Sequence, residues 1–84
     1  PALREKVYAA VRARAVALFE DLHKSFVHMR TANAGCDSGL ISAYLLTLGA
    51  GKQCQLLGGS CEFPSGDDLA WRQACQAGTA RSDK

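Results

Sequence analysis

The chain has 84 residues, a formal charge of +2, 48% hydrophobic and 21% charged residues. That is one small domain, 1–84, of ordinary globular composition. The charge is too small and too scattered to predict nucleic-acid binding, and no apolar run reaches the length of a membrane span. A chain this short buries roughly 60% of its unfolded surface, so it needs staples or a partner to be stable.

From Ala2 to Arg30 there is neither Gly nor Pro, and Ala, Leu, Arg, Glu and Lys dominate. These are good helix formers. Leu3, Val7, Val11, Leu18, Leu22, Phe26 and Met29 recur at helical spacing, with Ala15 filling the gap and Tyr8, Phe19 and Val27 widening the stripe. The spacing predicts a long amphipathic helix with one broad buried face. Such a helix is roughly 43 Å long, whereas a compact chain of this size is about 30 Å across. Either the helix breaks, near His23 to Ser25, or its stripe packs on another chain. Leu3, Val7, Val11, Leu18, Leu22 and Phe26 are therefore expected to serve both core and interface.

Thr31 to Gly35 reads as a helix exit. Asp37 or Ser38 can cap a second helix, expected over Gly39 to Leu48, apolar nearly all round, buried, and ended by Gly49. Gly49-Ala50-Gly51 and Gly58-Gly59-Ser60 are turn signals, and Lys52 to Leu57 between them is short enough to be extended. Ser65 to Asp68 has the form of a capping box with Asp in place of Glu. A last helix is predicted from about Asp67 to Gln76, with Trp71 and Cys75 on one side. The tail, 79–84, is expected to fray. The fold class is thus all-α, a long N-terminal helix plus two shorter ones, with a cysteine-rich C-terminal half.

Cys36, Cys54, Cys61 and Cys75 all lie in that half. An even count in a short chain reads as disulfides and favours secretion or another oxidising compartment over the cytoplasm. Cys54 with Cys61, around Gly58-Gly59, and Cys36 with Cys75 form one pairing. Two other connectivities stay open. Free, buried thiols are the competing reading. A metal site is not predicted, because zinc knuckles space their sulfurs two to four residues apart and the smallest gap here is six.

Gly35-Cys36-Asp37-Ser38, with Leu45 and Leu48 after it and Phe63-Pro64-Ser65 before Leu69, resembles acyl and peptidyl carrier proteins. The carrier motif is Gly-x-Asp-Ser-Leu, and Gly39 stands here at the Leu position. That resemblance implies Ser38 as an attachment site for phosphopantetheine. No other cofactor is expected.

No catalytic site is predicted. His23 and His28 diverge by about 140° around one helix. Glu20-Asp21 and Asp67-Asp68 read as solvated or helix-end charges. The sequence therefore points to a non-catalytic binding module or accessory subunit that packs its first helix on a protein partner or on copies of itself. A small apolar or lipid ligand held between the second helix and Trp71 is a further alternative.

Overall fold

The computed structural model describes residues 2–33 and 35–78. Helix α1 spans Ala2–Asn33, α2 Ser38–Leu56 and α3 Gly66–Ala77. The three-helix, all-α expectation holds, and α1 is unbroken through His23 to Ser25. The expected tail fraying at 79–84 lies outside the described residues. α2 returns antiparallel along α1, with Gly39 beside Met29, Gly51 beside Phe19, and Gly59 beside Val16. The result is elongated, 53 × 18 × 15 Å, with a radius of gyration of 15.1 Å. A compact chain of this length would have about 12 Å.

Asp37 caps α2, accepting the Leu40 N–H at 2.7 Å. The helix does not stop at Gly49. It continues through Gly51 and the segment expected to be extended, ending at Leu56. Each internal glycine costs about 1 kcal/mol of helix propensity, and packing offsets this. Phe19 and Phe63 sit on the bare face of Gly51, 3.3 and 3.4 Å from where a Cβ would stand. The real stop is a Schellman motif. Gly58 has φ +86°, its N–H donates to the Gln55 carbonyl, and the Gly59 N–H donates to the Cys54 carbonyl.

α3 starts at the predicted capping box: Ser65 Oγ accepts from the Asp68 N–H, and the Asp68 side chain accepts from the Ser65 N–H. Gly78, in the left-handed region at φ 78°, caps its end.

Both disulfides follow the first pairing. Cys36 bonds Cys75 and Cys54 bonds Cys61. All four sulfurs are consumed, which removes the free-thiol reading and leaves no thiolate for a metal. The core consists of Phe19, Phe26, Leu40, Tyr44, Cys54, Cys61 and Phe63. Phe26 lies at its centre, edge-on to Tyr44, Phe63 and Trp71. The α2 helix is less enclosed than expected: Leu45, Leu46 and Leu56 are exposed. Its core face is the narrow strip Leu40, Tyr44, Thr47, Gly51, Cys54, and Thr47, fully buried, donates its hydroxyl to the Ala43 carbonyl at 2.8 Å.

Candidate functional site

Two places on the molecule carry chemistry beyond packing. The first is buried. Asp68 is 1% exposed and its carboxylate is surrounded by donors. Arg30 donates to Oδ1 at 2.7 Å. Oδ2 accepts from the Ser65 hydroxyl at 2.7 Å and the Ser65 N–H at 3.0 Å. His23 Nε2 is 3.1 Å from Oδ2, and because a carboxylate only accepts, that nitrogen carries the proton. Burial by itself pushes the Asp68 carboxyl up. The hydrogen bonds from Ser65, Arg30 and His23 outweigh it and hold the group below the ordinary aspartate value.

The donors are themselves fixed. The His23 ring stacks on Phe19 at 5.8 Å and meets Phe63 edge-on at 5.5 Å. Arg30 lies over the Phe26 ring at 5.1 Å. Phe19 and Phe26, and likewise His23 and Arg30, are two turns apart and share one face of α1. Buried and held by three residues, the carboxylate ties elements together. The arrangement is a clasp between α1 and α3, and Trp71 adds a second link through its Nε1–H to the Gly35 carbonyl at 3.3 Å. Asp67 and Asp68 are both helix-end charges in the first turn of α3, as read from sequence, but only Asp67 is also solvated. Asp68 needed the neighbours from α1, and the available signal was two polar residues, His23 and Arg30, set among aromatic ones at helical spacing.

The second place is exposed. Every residue from Ala2 to Val11 is exposed. Within that segment Leu3 is 73%, Val7 56%, Tyr8 57% and Val11 44% exposed, and Leu18 further on is 56% exposed. Successive residues turn by about 100°, so Leu18 points well away from its buried neighbour Phe19. The core face is therefore turned to one side of Leu3, Val7, Val11 and Leu18, and takes the stripe's Phe26 with it. Of the six residues expected to serve both, Phe26 is sealed in the chain's own core, Leu22 is half-buried, and Leu3, Val7, Val11 and Leu18 remain in water.

Ser38 is exposed in the first turn of α2, directly after the Asp37 cap. The space between α2 and Trp71, considered for an apolar ligand, is filled by rings: Tyr44 lies 5.9 Å from Trp71 and 5.0 Å from Phe63. An open groove of about 580 Å³ lies elsewhere, where Ala9, Ala13 and Val16 of α1 face Gly58 to Ser60. No helix is long and apolar enough to cross a membrane among the described residues.

No protein-family model matches this chain, and neither curated proteins nor solved structures give a match.

Proposed function

We propose that the chain is a non-catalytic accessory module that docks on a partner protein through the apolar stripe of α1. The observation that carries this reading is the exposed sector of α1 that leaves Leu3, Val7, Val11 and, further along, Leu18 uncovered. Covering a Val or Leu fully is worth about 1.5–3 kcal/mol. These four side chains, together with those of the partner, are the apolar surface available to offset the entropy cost of association. Helix-in-groove recognition uses anchors at this spacing.

The staples fit the same role. The clasp and both disulfides hold the far end of the molecule, so α1 is presented on a fixed base. The disulfides also agree with an oxidising compartment.

Photo-crosslinking in the cell that makes the protein tests the reading. A photoreactive residue at position 7 should join the chain to a protein, whereas the same residue at the exposed Gln53 position should not. No protein adduct at position 7 overturns the proposal.

A further inference from the structure

We infer that the partner of α1 is a second copy of α1, packed antiparallel, an inference that rests on the docking reading above. Three observations favour a second copy. The first is spacing. Four stripe residues, Leu3, Val7, Leu18 and Leu22, stand symmetrically about a point between residues 12 and 13, and Arg14 is the mirror position of Val11. A two-fold axis between residues 12 and 13 sets Leu3 opposite Leu22 of the second copy and Val7 opposite its Leu18. A self-complementary patch of this kind is what a closed two-fold dimer requires.

The second is charge. Residues 2–12 carry Arg4, Lys6 and Arg12 against Glu5 alone, and residues 13–22 carry Arg14 against Glu20 and Asp21. Antiparallel packing lays the basic half of each helix along the acidic half of the other. Parallel packing would lay basic on basic. In this register Arg4 comes level with Asp21 of the second copy and Glu5 with Glu20, so the attraction is that of the two halves taken together.

The third is exposure. Leu3, Val7, Val11 and Leu18 are all uncovered, and the sector they occupy is not the one that α2 and α3 cover. Arg14, exposed, is the charged residue near the middle of the seam. Its long stem can lie along the apolar surface while the guanidinium stays in water.

Sedimentation of the purified, oxidised chain tests the inference, combined with amine crosslinking of mixed light and heavy-isotope chains. The expected result is a dimer. Leu18→Glu should raise its dissociation constant at least about tenfold, and Arg14→Leu should lower it, with the thermal midpoint of the dissociated chain unchanged in both. Lys6 and Lys24 are about 27 Å apart within one helix but about 8 Å apart along the axis between antiparallel copies. A short crosslinker should therefore join Lys6 of one isotope to Lys24 of the other.

A chain that sediments as a monomer at every concentration overturns the inference. So does a dimer indifferent to Leu18→Glu, or one that crosslinks Lys6 to Lys6. If the monomer still forms an adduct at position 7 with a different protein in the cell, only the second-copy assignment fails. If position 7 gives no adduct at all, the docking reading fails with it.

Discussion

Asp68 shows how much one side chain can hold. It caps its own helix, and it fastens α3 to α1 through Arg30 and His23. Asp68→Asn keeps the shape and removes the charge, leaving Arg30 without its counter-ion. Hydrogen bonds to charged groups are worth about 1.5–3 kcal/mol, and we expect a loss of about that size in urea unfolding with the disulfides intact. The pH dependence has a definite sign. The Asp68 carboxyl is held below its ordinary value in the folded chain, so its contribution is complete above about pH 4, near the unfolded aspartate value. That contribution fades as pH falls through the lower, folded value. Stability measured from pH 6 down to pH 2 should decline in the native chain, and the part due to this group should be missing in Asp68→Asn. From sequence the capping box was legible, because its residues are three apart. The clasp was not, because its donors stand 38 and 45 positions away.

At the scale of the helix, α1 and α2 were legible to different degrees. The first advertised itself by composition and a gap-free run. Its stripe was visible too, and Phe19 and Phe26 from its edge do meet the core, but His23 and Arg30 beside them were not read as core-facing and Leu3, Val7, Val11 and Leu18 stay outside it. Only tertiary contact decides which sector α2 covers. In α2 the glycines misled. Gly49 and Gly51 look like a stop, yet only the Gly58-Gly59 pair has the geometry of one. A pair of substitutions separates these roles. Gly49 has open space where a Cβ would stand, so Gly49→Ala should stabilise by about 0.5–1 kcal/mol. At Gly59 a Cβ would lie 2.5 Å from Cys54 Sγ and 3.1 Å from Val16. Gly59→Ala should therefore destabilise by about 1–3 kcal/mol, the ordinary cost of overpacking. Denaturant midpoints of the two variants should move in opposite directions. On α1, Val7→Glu should change the stability of the dissociated chain by no more than about 0.5 kcal/mol. The same change should abolish crosslinking through the neighbouring stripe positions.

For the molecule as a whole, elongation and stapling are two sides of one design. The 39-residue separation of Cys36 and Cys75 closes a long loop, worth about 4 kcal/mol in the chain-entropy account. The separation of seven between Cys54 and Cys61 closes a short one, worth about 2.5 kcal/mol. Replacing Cys36 and Cys75 together by Ser should thus cost more than replacing Cys54 and Cys61, a ranking that paired denaturation curves would check. The cysteine positions made a stapled back half legible from the start, although which sulfurs meet depends on how α3 folds back over α2. The covalent bonds also divide the chain unevenly. Neither bridge reaches α1, which is joined to the remainder covalently only through the backbone and otherwise by packing and the Asp68 carboxylate. A protease that nicks the loop between α2 and α3 would leave two pieces running as one band until a reductant is added. A nick just before Cys36 would instead yield a long peptide that ordinary denaturant is enough to wash away.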